Sequence, residues 1–228
     1  MGEASVAELR FSVSRDAGAV SAILVRPPSP LALLVFGHGA GAGMRHRFME
    51  GMCGALSHHR IATLRYQFPY AEAGRRRPDR AQTLTATVRA AVAAAREVEP
   101  DLALIAGGKS MGGRMTSTAQ AERSLPGVRG LVFFGFPLHR PGDPSDARGN
   151  HLREVDLPML FVQGTRDRLA ESDRIAAVVA ALKGGASIHV VEDADHGFDV
   201  PKRAGRSPED VYDEMAVAVR GWSEAILA

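Results

Sequence analysis

The chain has 228 residues, of which 45% are hydrophobic and 24% charged. That is the balance of an ordinary globular protein at the length of one α/β domain, and it excludes a disordered tail or a disulfide-stapled miniature fold. Formal net charge is only +2, too small an excess to argue for nucleic acid or a lipid surface as partner. The single cysteine, Cys53, permits no intramolecular disulfide and suits a reducing compartment. Met1-Gly2-Glu3-Ala4-Ser5 is polar with an early acid, unlike a secretory leader, and no apolar run approaches bilayer length. The expectation is a cytoplasmic protein that acts on a small molecule.

Leu9–Ser14 and Ala19–Arg26 read as two strands of a hairpin turning at Asp16-Ala17-Gly18. After the break Pro27-Pro28-Ser29-Pro30, Leu31–Phe36 is a continuous apolar run, the pattern of a strand covered on both faces. Gly37–Gly43 is glycine-rich. A helix follows from Arg45 to His59, with Cys53 on its buried face, then a strand over Arg60–Arg65. Tyr66–Pro78 reads as a loop, and 79–99 as a helix that Pro100 ends. Next come a strand over 101–106, a helix from Ser110 to Arg123 and a strand over Gly130–Phe134. Residues 135–156 read as loop with one short helix near His151. The chain closes with strand Pro158–Val162, helix Ala170–Leu182, strand Ser187–Val191 and helix Pro208–Leu227. Alternating strands and helices from Leu31 onward predict a single α/β domain over 1–228. Its sheet is mostly parallel with helices on both faces, and the opening hairpin forms an antiparallel edge.

In such sheets the chemistry sits in loops at the carboxyl ends of the strands. The strand at 101–106 runs into Gly107-Gly108-Lys109-Ser110-Met111-Gly112-Gly113, a G-x-S-x-G turn into a helix. Side chains at Gly108 and Gly112 would crowd so sharp a turn. A serine at a helix start is also a favoured cap, so its partners decide between the two readings. Asp167 follows the strand ending at Val162, and His196 follows the strand ending at Val191. Ser110, Asp167 and His196 thus stand in order past three strand ends. His196 would take the serine proton and Asp167 would orient the imidazole. Glu171 is the next choice for the acid. Asp193 and Asp195 are poorer, Asp195 because adjacent side chains point apart.

An oxyanion needs N–H donors. Met111, directly after the serine, is one candidate; Ala40, with Gly41 next, is the other, in a loop whose glycines let backbone approach a substrate. Gly37–Gly43 does not read as a phosphate cradle. No Lys-Ser/Thr pair closes it, and Ala42 stands where the third glycine of G-x-G-x-x-G belongs. No cofactor or metal is expected. His38 either braces this loop or reaches the substrate, bracing being favoured. Tyr66, Phe68, Tyr70, Phe136 and His139 lie on loops able to wall a pocket. Arg75-Arg76-Arg77 reads as a solvated run, with attraction of an acidic acyl group by Arg75 as the sharper alternative.

On these residues the chain resembles the α/β-hydrolase superfamily, and within it the small dienelactone-hydrolase-like members. It is most similar to a branch that includes testis-expressed proteins and a subunit of the nonspecific lethal chromatin complex. The likeness runs through Gly37–Gly43, Phe68-Pro69-Tyr70, Gly74–Pro78, Gly107–Gly113, Gly135–His139, Phe161–Asp167 and Asp195–Phe198. It implies a Ser110, Asp167, His196 triad. A dienelactone hydrolase proper has a cysteine nucleophile, so that activity is not implied. Many relatives insert a cap domain; here the insertion is at most 135–156, so no large cap is expected. The leading expectation is a serine hydrolase of a small ester or thioester. A binding or scaffold protein with a vestigial site and a peptidase are the alternatives.

Overall fold

The computed structural model describes residues 3–143, 145–183 and 185–228. Met1 and Gly2 of the polar N-terminus, Pro144 of the expected loop 135–156, and Gly184 lie outside the described residues. One eight-stranded sheet organises the chain. Its strands are β1 (Ser5–Ser14), β2 (Gly18–Arg26), β3 (Ala32–Gly37), β4 (Ile61–Tyr66), β5 (Leu104–Lys109), β6 (Val128–Phe134), β7 (Met159–Gly164) and β8 (Ala186–Val191). They lie in the order β1-β2-β4-β3-β5-β6-β7-β8. β1 and β2 pair antiparallel, as do β2 and β4; every later pairing is parallel.

The central strands are apolar throughout because each contributes to two cores. Leu33 and Val35 of β3, Leu104 and Ala106 of β5, Leu131 and Phe133 of β6, and Met159 and Phe161 of β7 face one side. The alternate residues Leu34, Phe36, Ile105, Val132, Phe134, Leu160 and Val162 face the other. This is the period-2 geometry of a strand applied to a doubly covered sheet. The first side is covered by α3 (Ala81–Val98), α4 (Met111–Glu122) and α5 (Ser172–Ala180), whose buried residues include Val88, Met115 and Ile175. The second is covered by α1 (Arg47–His58) and α6 (Pro208–Leu227), through Phe48, Met52, Val211 and Met215. Local signals start these helices. Ser207 and Asp210 form a reciprocal capping box on α6 with Pro208 in its first turn. The His46 imidazole accepts from the Phe48 N–H at the start of α1.

Several boundaries move. β1 begins at Ser5, four residues before the expected Leu9: its first residues are exposed on both faces and are held by pairing with β2, so no alternation marks them. β5 spans Leu104–Lys109 rather than 101–106, and therefore includes Gly107 and Gly108. A Cβ on Gly107 would lie 1.9 Å from the Val132 carbonyl oxygen, so the ladder to β6 needs glycine there. The expected loop Tyr66–Pro78 holds a one-turn helix, α2 (Pro69–Glu72), too short to show a period. Within 135–156 the short helix is a 3-10 segment over Ala147–Glu154, lying against α4. Among the described residues no helix is long and apolar enough to cross a membrane.

Parallel register sets the carboxyl ends side by side. Gly37 pairs with Gly108, Lys109 with Phe134, and Gly164 with Val191. The loops after β3, β5, β7 and β8 therefore leave from one edge of the sheet.

Candidate active site

Ser110 occupies the turn between β5 and α4 with φ 51° and ψ −113°, a region that side chains rarely enter. The turn is held from both sides. Cβ atoms on Gly108 and Gly112 would lie 2.5 and 2.2 Å from the Gly37 carbonyl oxygen. The Ser110 side chain does not cap α4. Its Oγ lies 2.9 Å from His196 Nε2, across 86 residues of sequence. His196 Nδ1 lies 2.7 Å from Asp167 Oδ2.

The Asp167 side chain is fully buried and takes further donors: Gln163 Nε2 on Oδ2 at 2.6 Å and the Leu169 N–H on Oδ1 at 2.8 Å. Gln163, the penultimate residue of β7, also accepts the Phe136 N–H, joining β7 to the loop after β6. The loops bearing Asp167 and His196 are tied by the Arg166 N–H to the Ala194 carbonyl and the Thr165 N–H to the Val191 carbonyl. Gly164 permits this contact, since its Cβ would lie 2.3 Å from the Ala194 carbonyl oxygen. The rival acids are engaged elsewhere. Glu171 pairs with His139 and Arg174. Asp195 accepts the Gly197 and Asp199 N–H groups, turning the chain around His196, and Asp193 pairs with Arg203.

Ser110 and His196 open onto a cavity of about 350 Å³ walled by Ala40, Ala42, Phe48, Met49, Lys109 and Leu169. Neither the Ala40 nor the Met111 N–H has a main-chain acceptor among the described residues. Gly41 takes a positive φ of 72° beside them and does not line the cavity.

A family model described as "Alpha/beta hydrolase domain" matches residues 30–224. The chain belongs to the alpha/beta hydrolase domain family. Solved structures share its fold end to end. The dienelactone hydrolase of Anabaena variabilis has a TM-score of 0.77 at 19% identity, with 98% of this chain and 99% of that chain covered. The esterase domain of a Rhodothermus marinus protein has a TM-score of 0.72 at 17% identity, covering 97% and 98%. A Xanthomonas campestris α/β serine hydrolase without lid has a TM-score of 0.69 at 16% identity, covering 100% and 94%.

Not every residue expected around this alpha/beta hydrolase's cavity is there. Tyr66, Phe68, Tyr70 and Phe136 are fully buried and pack in the core instead of walling a pocket. Tyr66 closes β4 and Tyr70 lies in α2, and an aromatic ring is buried wherever the fold offers it area. His38 is also fully buried and braces the glycine-rich loop: Nδ1 donates to the Gly39 carbonyl at 2.8 Å and Nε2 accepts the Phe68 N–H at 3.2 Å. Burial pushes its pKa down to about 4, so it stays neutral. Arg75 does not line the cavity at Ser110. It pairs with Asp79 at 2.7 Å and lines a separate cleft between the β1–β2 turn and the start of α3. His139 lies on the far side of His196, in a cleft shared with Asp167 and Arg166. Hydrogen bonds to the Arg140 carbonyl and to Glu171 raise its pKa.

A second Ser–His contact exists, Ser117 Oγ to His151 Nε2 at 2.8 Å. Ser117 sits inside α4, fully buried, and also donates to the Arg114 carbonyl one turn back. It lines neither cleft beside His196. Two residues at the site escaped the sequence reading. Gln163 carried a signal, a polar residue closing an apolar strand. Lys109 stood inside the serine motif without an assigned role.

Proposed function

We propose that this chain is a serine hydrolase that cleaves a small ester or thioester through an acyl-enzyme. Ser110 is the nucleophile, His196 the general base and then acid, and Asp167 the orienting carboxylate. The observation that carries this reading is the hydrogen-bonded line Ser110–His196–Asp167, 2.9 and 2.7 Å, starting at a serine in strained backbone.

Three donors converge on Asp167, one of them His196 Nδ1. With the ring proton on Nδ1, the Nε2 lone pair faces Ser110. Ser110 Oγ attacks the acyl carbonyl carbon as its proton passes to Nε2. The carbonyl electron pair moves onto oxygen, and the oxyanion takes N–H bonds from Met111 and Ala40, with Gly41 as the alternative second donor. Collapse expels the alcohol or thiol, which leaves with the proton from His196. Water then gives a proton to His196, attacks the acyl–Ser110 ester and releases the acid, returning the proton to Ser110.

The cavity of about 350 Å³ supports a short acyl group. Its walls are supplied by the loop after β3, the start of α1 and Leu169, and no described residue of 135–156 lines it. An uncapped site agrees with the likeness to a serine hydrolase described as lacking a lid. The esterase and dienelactone hydrolase likenesses favour acyl-oxygen bonds over peptides. Arg75, paired with Asp79 in a separate cleft, lends no support to a contact with an acidic acyl group.

A fluorophosphonate probe is expected to label the folded protein at Ser110, and short-chain p-nitrophenyl esters to be turned over. Ser110→Ala should abolish labelling and lower kcat by roughly 10⁴- to 10⁶-fold, since nucleophile, base and orienter act as a unit. An adduct on another residue, or unchanged turnover in Ser110→Ala, overturns the reading.

A further inference from the structure

Lys109 is the residue of the serine motif that the chemistry above leaves unused. It closes β5, directly before Ser110, and is only 8% exposed. Its Nζ donates to the His196 carbonyl oxygen at 2.5 Å. The ammonium also sits 5.6 Å from the ring centroid of Phe48 and 5.3 Å from that of Phe198. Gly135, after β6, closes the remaining side: a Cβ there would lie 3.0 Å from Nζ. Elements from four parts of the fold thus enclose one cation.

We propose that Lys109 is a positioning residue of the hydrolytic site: by tying the His196 carbonyl to the strand that carries Ser110, it holds the imidazole over the serine hydroxyl. This rests on the reading of Ser110, His196 and Asp167 as the reacting groups. A buried ammonium is costly, and an apolar chain of similar length would fill the space between two phenyl rings without that cost. The cation is therefore poorly explained by packing. Its hydrogen bond ends on the main chain of the histidine itself. Other main-chain ties on this loop end on its neighbours: the Arg166 and Thr165 N–H groups on the Ala194 and Val191 carbonyls before the histidine, and Asp195 on the Gly197 and Asp199 N–H groups beyond it. Lys109 spans 87 residues to join nucleophile and base in one rigid unit. A displacement of about 1 Å in such a unit lowers the rate by roughly 10²-fold.

The charge of Lys109 titrates within reach of experiment. Burial lowers its pKa to about 8, against the raising fields of Asp167 and Asp195. The other titratable or charged groups lining the cavity are His196, His46 at the cap of α1 and Arg47 in its first turn. A neutral amine still donates an N–H, but a charge-assisted bond is roughly twice as strong. The parent kcat should therefore step down to a lower plateau above about pH 8, without falling to zero.

The test measures kcat and KM for a short acyl ester from pH 6 to 10, with thermal unfolding, on the parent, Lys109→Met, Lys109→Arg and Ser110→Ala. Lys109→Met is expected to keep or raise the melting temperature and leave KM near the parent value. Its kcat should fall about 10- to 100-fold, with the alkaline step gone. Lys109→Arg, which keeps its charge across this range, should regain part of kcat. A Lys109→Met kcat near the parent's, with Ser110→Ala inactive, would show that Lys109 only packs. An active Ser110→Ala instead removes the reacting groups, and the positioning role with them. Should Lys109→Met not fold, Lys109→Gln replaces it, and a parent-like kcat in that variant overturns the proposal.

Discussion

Asp167 has no spare freedom: its side chain is sealed from solvent, and its oxygens accept from His196, Gln163 and the Leu169 N–H. An amide in its place presents one acceptor and one donor group, and a donor facing Nδ1 would turn the imidazole to the wrong tautomer. Asp167→Asn should therefore lower kcat by roughly 10⁴-fold with the fold retained. Steady-state kinetics and circular dichroism on the same sample check both halves. At this scale the sequence was informative where chemistry and strand position coincide. Ser110, Asp167 and His196 each follow an apolar run, and the elbow glycines announce a crowded turn. It was uninformative for Tyr66, Phe68, Tyr70 and Phe136. A loop aromatic can wall a pocket or fill a core, and only the elements packed over it decide.

Among the elements, the stretch 135–156 is where a cap would be inserted, and its 3-10 segment takes another role. Leu152 and Gly149 are buried, and Leu152 joins the core beside Leu138 and Val155 under α4. The segment seals the edge of a core and leaves the cavity at Ser110 uncovered. Leu152→Ala should cost about 2–5 kcal/mol of stability, as truncations of buried leucines do. KM for a short ester should stay close to the parent value. Chemical denaturation and initial-rate kinetics separate these outcomes, and a large KM change without lost stability would make the segment a lid. Long apolar or periodic elements were legible in the sequence: β3, β6, β7 and α6 lie close to where their patterns put them. The four-residue α2 and the exposed start of β1 carry no period, because one turn and a paired, solvated edge need none.

For the molecule as a whole, two imidazoles, His38 buried and His151 partly buried, are held in their neutral form. His38 and His151 both have pKa values lowered from 6.5 to about 4, chiefly by desolvation. The unfolded chain binds protons more readily than the folded one in this window. The stability contribution is thus complete above pH 6.5 and is lost as pH falls toward 4. For His38, fully buried with both nitrogens committed, the loss amounts to about 3 kcal/mol. His151 is only partly buried and adds less. Denaturation midpoints at pH 7 and pH 4.5 should show the decline. His38→Gln, which does not protonate, should start less stable and decline less steeply.

Residue pattern alone was enough for the class of fold, the succession of its central strands and the three groups at their ends, because burial on both faces and sharp turns leave local marks. The closing of Ser110 onto His196 over 86 residues, and of His196 onto Asp167 over 29, is the work of parallel register at one sheet edge. The same assembly sent Arg75 to a separate cleft, sank the loop aromatics into the core and folded Lys109 under the histidine. Those outcomes depend on which surfaces meet, and a side chain's own sequence neighbours do not specify what it will be packed against.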